Sequence, residues 1–223
     1  MALGLGSAQA LLAGSALTGT RAALPLLVLS AAGYAGLVAF PEGAEAMATL
    51  PMVAALAGLA VVEELTERDE DVQEILSWLN YGTRGAAGAM AAWLADAAPA
   101  GMPAWSVALL GVLIAATTHH YRMQLHASLR GLGDTWLSPR TWLVTLEAGG
   151  VAALAIGLVL APAVASTAVV LLLAAEATWH SARWATQRTV WRHPCPACGA
   201  RIRREASRCP SCRETVEPDR WLA

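Results

Sequence analysis

Cys195, Cys198, Cys209 and Cys212 are all the cysteines the 223-residue chain owns, and they stand as two Cys-x-x-Cys pairs separated by ten residues, in CPACGARIRREASRCPSC. Soft thiolates at this double spacing hold a tetrahedral metal, and the spacing is that of a zinc ribbon. Four sulfurs complete the coordination of one zinc per chain and leave no position for a reacting water, so the expected role is structural. Pro196, Gly199 and Pro210 shape the two knuckles. A pair of disulfides is the alternative, disfavoured if the tail lies in a reducing cytosol. The RIRREASR between the pairs is basic. It suits a solvated loop on a protein-recognition module rather than a nucleic-acid contact.

A second set of chemistry-bearing residues lies in apolar surroundings: Arg21, Glu63, Glu64, His119, Arg122, Glu147 and Glu176. Ionisable groups inside membrane spans are costly, so each is a candidate for function. Counted at 1.5 Å per residue along their helices, Glu63, His119 and Glu176 lie roughly 20 to 24 Å from one end, and Glu147 falls at the same level. His119, Arg122 and His126 share a helix face, as do Glu176 and His180. Such a layer could bind a cation, relay protons, or hold a phosphate-bearing headgroup against Arg21 and Arg122. The competing reading is packing: paired Glu and Arg lock helices together, and side chains near a boundary snorkel. All fifteen basic residues are Arg. Schiff-base chemistry and a P-loop lysine are therefore excluded.

The elements that must position these groups read as membrane helices. The chain is 56% hydrophobic and 14% charged, against roughly 25% charged in a soluble domain. Residues 22–40, 103–121, 141–160 and 163–182 are each long and apolar enough to cross a bilayer; 50–65 crosses only with its acidic end at the interface, 85–98 is short unless tilted or re-entrant, and 2–20 is a span, a re-entrant helix or an interfacial one. Residues 71–78 have the periodicity of a helix lying on the membrane surface. The opening residues lack a basic n-region, which argues against a cleaved signal peptide. Counting spans back from the tail puts every arginine on one side, the cytoplasmic one by the positive-inside rule, with most tryptophans at that boundary. The expected fold is an all-α polytopic bundle of six or seven segments over residues 1–188, followed by a cytoplasmic zinc-ribbon tail over 189–223.

Two stretches carry family resemblances. EELTER (63–68) resembles the first motif of intramembrane CAAX-processing and bacteriocin-processing proteases, which implies a membrane metalloenzyme using Glu63 with His119 or His120. The chain departs from that family at Ala116 and after His180. TGTRAALP (18–25), LPMVAALAGLAVVEELTERDEDVQEI (50–75) and TRGAAGAM (83–90) resemble the bacterial membrane family called domain of unknown function 4126, over about residues 5–160. That resemblance singles out Arg21, Glu63, Asp69, Asp71 and Arg84, implies a multi-pass bacterial inner-membrane protein, and brings no activity with it. The first expectation for function is transport or permeation of a small ion or lipid-linked anion. A non-catalytic scaffold whose ribbon docks a cytosolic protein is the second, and the protease is the third. Membrane lipids are expected partners, and the small-residue helices suit self-association.

Overall fold

The computed structural model describes residues 8–68, 72, 75–95, 103–128, 139–186, 192–203 and 206–217. Among them run seven α-helices: α1 (Ala8–Thr20), α2 (Ala23–Tyr34), α3 (Leu50–Arg68), α4 (Ser77–Leu94), α5 (Ala104–Ser128), α6 (Pro139–Leu160) and α7 (Pro162–Thr186). A one-turn 3₁₀ helix (Glu45–Ala48) precedes α3, and two three-residue strands, β1 (Arg192–Pro194) and β2 (Arg201–Arg203), form the tail.

Helix α1 is the hub, packing on α4, α5, α6 and α7. Its sequence, AQALLAGSALTGT, has small residues on every face, so neighbours approach from several sides. Ala13, Ala16 and Leu17 meet Val151, Ala155 and Leu158 of α6 and Ala165 and Val169 of α7. The tightest crossing joins α4 to α5. A Cβ built on Gly111 would lie 2.3 Å from the Gly88 carbonyl oxygen, and one on Gly88 would lie 2.4 Å from that of Gly111. Ser15 Oγ of α1 donates to the Gly88 carbonyl at 3.2 Å and ties the third helix to the crossing. On the other side of α1, Leu26 and Leu29 of α2 pack with Met47, Leu56 of α3 and Leu94 of α4.

Two stretches, Trp142–Leu160 of α6 and Pro162–Ala182 of α7, are long and apolar enough to cross a membrane. Only 28% and 17% of them is buried inside the molecule. A soluble core helix would be mostly covered, whereas these turn Leu146, Ile156, Val164, Leu171 and Leu172 outward. The boundaries differ from the sequence expectation in three places. The span expected over 22–40 is interrupted: α2 stops at Tyr34, followed by Gly36 at φ +71°, and 12 residues reach only about 18 Å. The short helix expected at 85–98 begins instead at Ser77, because Trp78, Leu79 and Asn80 continue the helix that carries Arg84. Helix α5 runs on to Ser128, seven residues past the expected end of its span at 121, and so carries the shared face of His119, Arg122 and His126 as expected. Of the expected surface helix, Ile75 and Trp78 are strongly exposed.

Candidate functional site: a three-arginine cluster and a four-thiol tail

The chain between α1 and α2 breaks at Arg21 and Ala22, and the two helix ends this creates are both met by side chains from elsewhere. Glu63 of α3 accepts from the backbone N–H of Ala22 at 2.8 Å and of Ala23 at 3.0 Å, one carboxylate oxygen to each. The first turn of a helix offers unpaired N–H groups and a positive dipole end, so a carboxylate belongs there. Arg84 of α4 donates to the Gly19 carbonyl at 3.1 Å and to that of Thr20, closing the opposite, carbonyl-rich end of α1. Each charge sits at the helix end of complementary sign.

Glu67 stands at the centre. It lies four residues after Glu63 on the same face of α3, is buried, and receives all three arginines. Arg21 Nη1 approaches it at 2.8 Å and Arg122 Nη2 at 2.5 Å, while Arg84 Nη2 pairs with its other oxygen. Around this core Arg21 also pairs with Glu64 at 3.1 Å, Arg84 with Glu63 at 3.1 Å, and Arg122 Nε with Glu147 of α6 at 2.8 Å. His126 Nε2 reaches Glu147 at 3.0 Å. Arg21 donates further to the Val144 carbonyl of α6 at 3.2 Å. Side chains from four helices and from the α1–α2 break thus meet in one network of three guanidiniums and four carboxylates. Several buried nitrogens remain unspent: Arg21 Nε, Arg84 Nε, His126 Nδ1 and both ring nitrogens of His119 have no hydrogen-bond partner among the described residues. His119 packs edge-on to the Tyr81 ring, with centroids 4.6 Å apart.

A cleft of about 390 Å³ opens beside the network, lined by Arg21, Glu63 and Glu64 and walled by apolar side chains, among them Leu24, Leu27, Val61 and Leu65. Of the residues singled out from sequence, Arg21, Glu63, Glu64, Arg84, Arg122 and Glu147 are brought together here. Glu176 is not. It faces a separate cleft on the other side of α5, with Thr117 and Tyr121. Residues one turn apart on α5 explain the division: His119, Arg122 and His126 point one way, Thr117 and Tyr121 the other. Asp69 and Asp71 lie outside the described residues. Glu67 was missed by sequence reasoning, although its spacing of four from Glu63 was the available signal. Glu63, offered as a metal ligand by the protease resemblance, has both oxygens engaged by α2. Among the described residues the group of three or more that could hold a metal is the cysteine set.

In the tail, the four Sγ atoms lie within 4.8 Å of one another, with Cys195 and Cys212 at 3.7 Å and Cys198 and Cys209 at 3.6 Å. A tetrahedral site with bonds of about 2.3 Å places sulfurs about 3.8 Å apart, so the set fits one ion of that kind. Two equivalent knuckles build it. The Gly199 N–H donates to the Cys195 carbonyl and the Arg213 N–H to the Cys209 carbonyl, each at 2.9 Å. Gly199 and Arg213 occupy the same left-handed conformation, at φ +72° and +61°. The hairpin pairs His193 with Ile202, and Ile202 and Val216 pack against Cys195 and Cys209 as a small core. Backbone N–H groups of Cys212 and then Ser211 lower the Cys209 thiol to about 6. Cys212 accepts from the Glu214 N–H, which pulls its thiol down, yet the thiols of Cys198, Cys209 and Cys195 push it up to about 12.

Comparison with curated proteins and with solved structures finds no match. The family model named Domain of unknown function (DUF4126) matches residues 9–181. That range takes in the broken helix, the arginine cluster and Glu176, and leaves the four-thiol tail outside. With most of its length matched, the chain belongs to the DUF4126 family.

Proposed function

We propose that the chain is a multi-pass inner-membrane protein that passes a small anion, or the anionic head of a lipid-linked one, through the cleft at Arg21, with its C-terminal tail cytoplasmic and folded on one structural zinc. The observation that carries this reading is the break between α1 and α2. In membrane carriers, discontinuous helices expose backbone N–H groups that receive anionic substrates. Here the N–H groups of Ala22 and Ala23 are held by a side-chain carboxylate, Glu63, at the edge of a cleft that Arg21 lines. A side chain can swing away where backbone cannot, so Glu63 serves as the stand-in that an incoming anion displaces. The unspent Nε–H donors of Arg21 and Arg84 favour an anion over a cation. The Cys₄ set favours zinc because soft sulfur in tetrahedral geometry is its preferred structural environment.

The test is flux into proteoliposomes, with inorganic phosphate, chloride, potassium and protons as the probes. Phosphate or chloride is expected to enter faster than into empty vesicles, and Arg21→Gln is expected to remove that excess while the protein still inserts. Vesicles that admit none of the four probes faster than empty ones would sink the reading.

A scaffold role is the second reading, favoured by the tail, which exposes Arg201 and Arg203 on its hairpin. Deletion of residues 193–223 then releases a cytosolic protein from detergent-solubilised complexes and leaves any flux intact.

A further inference from the structure

Glu176 has no place in the arginine network, and what surrounds it is different in kind. Its carboxylate is half-buried and, among the described residues, has neither a hydrogen bond nor an ion pair, with His180 standing one turn on. The cleft it faces has a volume of about 380 Å³ and lies between α1, α5 and α7. That is within the range of small-ligand sites, roughly 300 to 1,000 Å³. Leu12, Leu113, Ile114 and Leu173 make its walls, and Thr117 and Tyr121 join Glu176 as its polar groups. Tyr121 is held in place by stacking on His180, with centroids 4.5 Å apart.

We propose that this cleft binds a phosphatidylethanolamine of the surrounding bilayer, its ammonium on Glu176 and its upper acyl chain along Leu113, Ile114 and Leu173. The inference rests on the membrane placement above but not on transport. Charge complementarity selects the headgroup: one carboxylate with two neighbouring hydroxyls can accept all three N–H donors of a primary ammonium. A bare metal cation would need a fuller set of oxygens than one carboxylate and two hydroxyls provide. Depth agrees. Glu176 is six residues, about 9 Å, inside the end of the apolar stretch at Ala182, within reach of a headgroup drawn slightly inward. The flanks of the cleft, Leu113, Leu171 and Leu172, are apolar and exposed, so the groove is continuous with surface that lipid chains would cover.

The test is native mass spectrometry of the full chain released from detergent with equal amounts of phosphatidylethanolamine and phosphatidylcholine of identical acyl chains. The wild type is expected to retain the ethanolamine lipid several-fold over the choline lipid, which has no N–H to donate. Glu176→Gln is expected to reduce that preference to near parity with an unchanged thermal midpoint. Equal retention of the two lipids by the wild type, or a preference that survives Glu176→Gln, overturns the proposal. Should Glu176→Gln not fold, competition on the wild type decides: dodecylammonium must displace the bound lipid at lower concentration than dodecyltrimethylammonium, and equal potency overturns the assignment. Release of the wild-type protein from membranes by alkaline carbonate without detergent would instead count against the membrane placement itself.

Discussion

Glu67 accepts from three guanidiniums at once and is the most deeply buried of the four carboxylates, so its loss strips a partner from all three buried arginines together. Removing one partner of a buried pair costs about 3 to 5 kcal/mol, because the remaining charge cannot be re-solvated. For a chain of this size that corresponds to a midpoint lowered by roughly 6 to 20 °C in Glu67→Gln, read by thermal unfolding in detergent. Glu176→Gln, which breaks no pair, is the control and is expected within about 0.5 kcal/mol of wild type. Equal midpoints for the two variants would refute the central role of Glu67. At the tail, metal binding must expel the thiol protons. Cys212, pushed up to about 12, gives up a whole proton at neutral pH, while Cys209, lowered to about 6, is already mostly ionised there. Affinity therefore falls as pH drops, and more steeply below about 6, where Cys209 must also be deprotonated by the metal. Zinc titration against a chromophoric chelator at pH 7.5 and 5.5 measures this, and a pH-independent affinity would contradict it.

Between helices, the decisive contacts are backbone against backbone. At the α4–α5 crossing Gly111 has no room for a methyl group, which would meet the Gly88 carbonyl oxygen at 2.3 Å and the Ala92 Cβ at 2.7 Å. Gly111→Ala must push the helices apart, at a cost of about 1 to 3 kcal/mol, and it strains α5, which delivers Arg122 and His126 to the cluster. Gly149 on α6 has nothing within 4 Å of its would-be Cβ. Gly149→Ala is expected to stabilise by up to about 1 kcal/mol, through helix propensity alone. Thermal midpoints of opposite sign for the two variants are the expected outcome, and a stabilising Gly111→Ala would show that the crossing is not as close as described. The α1–α2 break belongs to the same scale. Its ends are satisfied across the fold by Glu63 and Arg84, so the break persists only while α3 and α4 are docked.

For the molecule as a whole, the outward apolar faces of α6 and α7 and the buried ion-pair network fit lipid surroundings. Exposed Leu, Val and Ile on that scale would drive aggregation in water. The chain is expected to stay in the membrane pellet through an alkaline carbonate wash, checked by immunoblot of pellet and supernatant, and a soluble chain would overturn that placement. Where the sequence and the fold part company, the reason is range. Periodicity and spacing report on neighbours within a turn or two, so the helices of α6 and α7, the cysteine knuckles and the shared face of His119, Arg122 and His126 were all legible. The early stop of α2 and the length of α4 depend on tertiary contacts that no local window contains.

What the residues alone determined is the helical character, the family, the cysteine set and the presence of costly charges in apolar segments, since composition and short spacings suffice for each. Only the tertiary structure decided which charges meet. It set Glu67 at the centre because three arginines from α4, α5 and the α1–α2 break converge where one buried carboxylate can touch all of them, with Glu63, Glu64 and Glu147 completing the charge balance around it. It sent Glu176 to a cleft of its own because the opposite face of α5 stands between it and that cluster.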